Sequence, residues 1–167
     1  MALAVGPEIT YAKIEEEGAV YYLALDRVGD YYRTKEDYKS ISQVKGSSLV
    51  GLTYEPLFEY FRNLNESGAF RVVAADFVST EDGTGIVHVA PGFGEDDYML
   101  GQRENIPVVC PIDAEGRFTS EVPDYTGRPV KEADADIIAR LKKEKKLVKR
   151  SEIVHNYPYC WRCDTPL

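Results

Sequence analysis

The side chains best suited to chemistry fall in one stretch, GTGIVHVAPGFGEDDY, from Gly83 to Tyr98. His88 carries an imidazole whose ordinary pKa near 6.5 lets it hold or move a proton at neutral pH. On a strand it shares no face with Val87 or Val89, so it points either toward a core partner or into a cleft. Asp96 and Asp97 follow at a loop-to-helix junction. A carboxylate there can bind a cation such as an amino group, or can simply favour the first turn of the helix. Gly83 and Gly85 let the backbone approach a ligand closely, and Gly92 and Gly94 permit a sharp loop after the strand. A histidine, an aspartate and a glycine-lined cavity so close together make a site-like constellation. The spacing matches neither a phosphate-binding P-loop nor a dinucleotide fingerprint.

Two further features carry potential chemistry. Cys160 and Cys163 in CWRC have the two-residue spacing of half a tetrahedral zinc site, which ordinarily needs four protein ligands. Cys110 follows two valines and reads as a small buried apolar residue, and His155 reads as an orienting or exposed one. The run KKEKKLVKR, from Lys142 to Arg150, is cationic at six of nine positions. Such a run is a solvated helix end, or a patch that guides the end of a nucleic acid.

The elements that must hold these groups alternate without regular βαβ order. ITYAKIEEEG and AVYYLALD, on either side of Gly18, predict a hairpin. Thr34 is placed to cap a short helix to about Val44, with Lys35, Glu36 and Asp37 in its first turn. KGSSLVGLTYEPLF reads as a turn, a strand and a proline-limited edge. AFRVVAADFVSTEDGTG reads as a strand pair turning at Glu81, Asp82 and Gly83, and IVHVAP as a short buried strand stopped by Pro91. Glu95 to Asn105 has helical character with three carboxylates in its first turn, while PVVCPID and GRFTSEVP are extended. A second helix runs from about Val130 to Leu147, with Ala133, Ile137, Ile138, Leu141 and Leu147 on its apolar stripe. The fold class predicted is mixed α+β, a β-barrel-like core with peripheral helices.

Composition narrows the function classes. A chain of 167 residues is one domain, and 44% hydrophobic with 29% charged residues excludes general disorder. No apolar run approaches the ~18 residues of a membrane span, and MALAVGPE lacks the basic start of a signal peptide. Three cysteines point to a reducing, cytoplasmic setting rather than a disulfide scaffold. With 20 basic against 28 acidic residues, the formal charge is −8. That argues against a surface that grips nucleic acid throughout, but leaves room for a pocket receiving only a nucleic-acid end.

GTGIVHVAPGFGEDDY resembles the signature of the editing domain inserted into isoleucyl-tRNA synthetases. Valyl and leucyl editing domains share the GTG, the apolar pair, a proline and the final acid, but do not normally carry histidine at the position of His88, so VHVAP favours the isoleucyl branch. The tail HNYPYCWRCDTPL resembles the segment by which that insertion returns to the synthetase body. The opening ALAVGPEITY resembles the strand after the family's threonine-rich peptide. The resemblance covers essentially the whole chain and implies a single editing domain over 1–167, an excised insertion whose return segment is 155–167.

The resemblance implies hydrolysis of valine misattached to isoleucine tRNA, and of valyl-adenylate. The alternatives are a valyl-type domain acting on Thr-tRNA, or a tRNA-end binding module without catalysis. By the same resemblance, Asp97 binds the substrate's α-ammonium group and His88 positions substrate or water, or acts as general base. Gly83, Thr84 and Gly85 line the ligand groove, and Gly92, Phe93 and Asp96 support it. Partners are the 3′ end of tRNA(Ile) and the rest of the synthetase in cis, with no membrane, and the domain alone is monomeric. No metal serves the editing step. The matching cysteine pair lies upstream of the insertion, so zinc belongs only to the full-length protein and Cys160 with Cys163 is an orphaned half-site. The threonine-rich strand would precede Ala2, so the pocket is expected to lack that wall here.

Overall fold

The computed structural model describes residues 1–34, 38–150 and 162, with backbone alone at 39–41. Two three-stranded sheets form its framework. In chain order the strands are β1 (Ala2–Val5), β2 (Thr10–Glu16), β3 (Ala19–Ala24), β4 (Lys39–Lys45), β5 (Val72–Ala74) and β6 (Ile86–Val89). The helices are α1 (Val28–Tyr31), α2 (Glu95–Glu104) and α3 (Val130–Lys143). Among the described residues the sheets do not close into a barrel; the mixed α+β class stands without that feature.

The predicted hairpin is β2–β3, paired antiparallel from Tyr11 opposite Ala24 to Glu16 opposite Ala19. Glu17 and Gly18 turn it, both with left-handed backbone. The helix expected after Thr34 is instead strand β4, antiparallel to the other edge of β2. Alternating residues in SISQV satisfy that free edge, and a ladder of long-range hydrogen bonds outweighs a local capping signal. Lys35, Glu36 and Asp37 lie outside the described residues.

The second sheet is ordered β5-β1-β6, so the expected 69–85 strand pair does not exist. Strand β1 separates its two members, parallel to β5 and antiparallel to β6. Nor is β6 buried throughout: it is an edge strand on which only Val89 is fully enclosed. One face of this sheet packs Ala2, Ala4, Val73 and Val89 against Leu100 and Ile106 of α2 and its cap. The segment 46–54 makes a single 3₁₀ turn at Gly46–Ser48 and one bridge, Thr53 to Arg71, rather than a strand.

Helix α2 begins and ends where its sequence predicts. Asn105 takes the left-handed conformation (φ 54°), and the Ile106 N–H reaches back to the Gly101 carbonyl at 2.8 Å. These are the marks of a Schellman stop. Helix α3 stops at Lys143, four residues early, by the same device. Lys145 is left-handed (φ 57°) and the Lys146 N–H bonds the Leu141 carbonyl. Ala133 of α3 is fully buried beside Val122 and Tyr125, with Ile137 packed against them. Cys110 is exposed, not buried. Its segment runs extended along the surface, and alternation turns Val108 and Cys110 outward together.

Candidate functional site

Strand β6 delivers His88 to the sheet face opposite the α2-packed core. Register places it beside Leu3, whereas Val87 and Val89 pair with Ala4 and Ala2 on the other face. Leu3 and His88 both line a cleft of about 500 Å³. Of the two sequence readings, the cleft-facing one holds: His88 is exposed and, among the described residues, has no hydrogen-bond partner.

Asp97 is brought to the same end of β6 from the other side. It is the third residue of α2, and its Oδ2 accepts the Ala90 N–H at 3.0 Å. The carboxylate thereby ties the helix start to the residue just past the strand. Its other oxygen makes no hydrogen bond among the described residues. Asp97 does not line the large cleft, but its charge acts on His88. Desolvation by the surrounding cleft lowers the pKa of His88 from its ordinary value, and the Asp97 carboxylate pulls the other way.

The folded chain therefore binds that proton less tightly than the unfolded chain does. His88 favours folding above the ordinary histidine value of about 6.5, and that contribution fades as the pH falls below it. An NMR titration is expected to find the imidazole midpoint below 6.5. Asp97→Asn should lower it further, because the raising charge is gone. A midpoint that stays or rises in Asp97→Asn contradicts this pairing.

The cleft walls come from segments distant in sequence: Tyr54, Phe58 and Phe61 on one side, Phe118, Tyr125 and Ile137 on the other. A polar cluster ties the two walls. The Tyr60 hydroxyl donates to Asp124, and Arg140 of α3 donates to the same carboxylate at 2.7 Å. The Arg140 guanidinium also lies 4.8 Å from the centre of the Phe58 ring. Both hydrogen bonds hold the Asp124 carboxyl below its usual range. Lys146, from the basic run, donates to the Leu57 carbonyl at 2.7 Å, so part of that run anchors this wall. Sequence reasoning missed these residues; the aromatic run TYEPLFEYF hinted at one wall, and nothing local marked the other.

The GTG segment sits elsewhere. The Ala24 N–H donates to the Thr84 carbonyl at 2.8 Å, the Tyr11 hydroxyl to the Gly85 carbonyl at 2.7 Å, and Arg27 to the Gly83 carbonyl at 3.1 Å. Thr84 lines a smaller depression with Tyr21, Tyr31, Tyr32 and Lys149, away from His88. The Thr84 and Gly85 carbonyls thus join the two sheets, while the Gly83 carbonyl holds Arg27; Asp97 reaches His88 only through its charge. Phe93 is 56% exposed in the connecting loop and Asp96 faces solvent on α2. Cys160, Cys163 and His155 lie outside the described residues. Among the described residues no three His, Cys, Asp or Glu side chains gather to hold a metal, and no helix is long and apolar enough to cross a membrane.

No family model matches the chain. Along its full length it is 51% identical over 182 aligned residues to an isoleucine–tRNA ligase of Treponema denticola. It is 48% identical to that of Chlamydia trachomatis serovar L2 and 49% identical to that of Bdellovibrio bacteriovorus. It spans 16% of the length of each of these relatives. Its fold matches the crystal structure of GlLeuRS-CP1, with a TM-score of 0.66 at 16% identity, covering 92% of this chain and 78% of that one. A chain about half identical from end to end to isoleucine–tRNA ligases, and folded like GlLeuRS-CP1, belongs to the isoleucine–tRNA ligase family.

Proposed function

We propose that the chain hydrolyses the ester of valine misattached to isoleucine tRNA, and valyl-adenylate by the same route. The observation that carries this reading is Asp97: a carboxylate fixed by a backbone N–H through one oxygen, with the other open, beside a cleft-facing histidine. The open oxygen binds the α-ammonium group, a charge-assisted contact that selects an aminoacyl group and fixes its carbonyl for attack. His88, neutral at physiological pH because its surroundings disfavour the proton, positions the attacking water. Water adds to the carbonyl; in the ester the carbon–oxygen bond to the ribose breaks and the RNA hydroxyl is restored, and in the adenylate the bond to the phosphate oxygen breaks and AMP leaves, free amino acid being released in both. An aminoacyl ester is already labile, so orientation supplies much of the rate.

The need for such a step is physical. One methylene in a hydrophobic pocket is worth only ~1–3 kcal/mol, a limit for which valine against isoleucine in this synthetase is itself the standard illustration. A second site must therefore reject the larger, correct amino acid by size. A cleft of 500 Å³ would hold either side chain, so on this reading the exclusion comes from how the bound ester is seated rather than from the cleft's volume. The acceptor end of tRNA(Ile) and the remainder of the synthetase are the partners this reading requires.

Deacylation assays with valyl-, threonyl- and isoleucyl-tRNA(Ile) test the assignment. Valyl-tRNA(Ile) should be hydrolysed at least tenfold faster than isoleucyl-tRNA(Ile), in keeping with what one methylene can contribute. Preference for the threonyl ester would place the chain with valyl-type editing, and binding without hydrolysis would leave only RNA-end recognition.

A further inference from the structure

One residue lining the cleft beside His88 carries a buried polar atom whose ordinary requirement is unmet. Tyr54 lines the cleft, and its Oη is closed off from water with no hydrogen-bond partner, the one such side-chain atom among the described residues. Buried hydroxyls nearly always find a partner, because leaving one unpaired forfeits its hydration with nothing in return. The ring is held in place: it meets Phe70 edge-on, with centroids 5.9 Å apart and an interplanar angle of 85°. Phe70 and Phe61, both in the cleft lining, have left-handed backbone at φ 58° and 61°. Bulky residues rarely adopt that conformation, and such strain concentrates at ligand sites. Burial pushes the Tyr54 phenol up to about 12, which keeps it a neutral donor at physiological pH.

We propose that Tyr54 is a substrate-binding residue, its hydroxyl donating to an acceptor oxygen of the aminoacyl ribose, the ester carbonyl or a ribose hydroxyl, once that group enters the cleft. The inference rests on the editing reading above. No water is displaced from the hydroxyl when it pairs, so the ligand gains a hydrogen bond without an exchange against solvent. Reaching it requires the adjoining wall to yield. Glu55 and Leu57, which line the same cleft, are exposed, Leu57 at 52%.

Tyr54→Phe removes the oxygen and nothing else. With a non-hydrolysable valyl-adenosine amide as the probe, the variant should bind about 3- to 10-fold more weakly by calorimetry. Its melting temperature should stay level or rise, since an unpaired buried oxygen is gone. Unchanged affinity overturns the proposal. So does a lowered melting temperature, because the oxygen would then be serving the protein rather than a ligand. Asp97→Asn, titrated in parallel, separates the two claims. If it weakens binding and Tyr54→Phe does not, only the role of Tyr54 fails. If it leaves affinity untouched, the editing reading itself fails.

Discussion

Asp97→Asn is expected to lower kcat/KM for valyl-tRNA deacylation by about 100-fold while leaving the melting temperature nearly unchanged. Asparagine keeps an oxygen for the Ala90 N–H, so the tether between α2 and the end of β6 survives. What disappears is the charge. A charge-assisted hydrogen bond contributes about 1.5–3 kcal/mol, roughly 10- to 150-fold. Misplacement of the carbonyl relative to water adds to the loss. Asp97→Ala should match that catalytic loss and also destabilise the fold by about 1–2 kcal/mol, as removal of a side-chain tether at a helix start does. A variant that lost stability in the asparagine form, yet hydrolysed normally, would return Asp97 to a purely structural role. Stopped deacylation time courses and thermal melts on the same preparations decide between these outcomes.

Gly85→Ala is expected to be strongly destabilising. A Cβ there would stand 2.5 Å from the Ala24 Cβ, and the backbone at Gly85 is left-handed at φ 72°. Ala24 is completely buried and its N–H is committed to the Thr84 carbonyl, so it has nowhere to retreat. Overpacking and a disfavoured backbone each contribute about 1–3 kcal/mol. Together they should lower stability by roughly 3–5 kcal/mol, or about 6–20 °C in melting temperature for a chain of this size. Gly83 provides the control. It is also left-handed, at φ 62°, but nothing lies within 4 Å of its Cβ position. Gly83→Ala should cost only about 1–2 kcal/mol. Equal losses at the two positions, measured by urea unfolding, would mean that sheet-to-sheet packing is not what requires the second glycine.

The GTG segment marks the boundary of what the chain's sequence discloses. Its composition announces that the backbone must come close to something, but not to what. A ligand and the Ala24 methyl make the same demand for glycine, and only the fold distinguishes them. Helix α2 was legible in full because its signals are local: acids in the first turn and an asparagine stop. The same holds for the β2–β3 hairpin; the two-residue period of a strand set His88 apart from Val87 and Val89, but only the fold showed that its face is the cleft. Strand β4 was hidden because its pairing with β2 spans a loop and overrides the capping pattern after Thr34. The insertion of β1 between β5 and β6 joins segments about 69 and 81–87 residues apart, which no local pattern encodes. For that reason the cleft walls, and with them Tyr54 and the cluster of Tyr60, Asp124 and Arg140, emerge only from the folded chain.

The most direct measurement is a structure of the chain bound to the valyl-adenosine amide, by crystallography or by NMR restraints. The ammonium group should lie about 3 Å from the Asp97 oxygen that the Ala90 N–H leaves open, with the isopropyl group held too tightly beside His88 to admit another methylene. An ammonium group directed into solvent with Asp97 remote from it, or a pocket with space to spare around the side chain, would contradict the proofreading account.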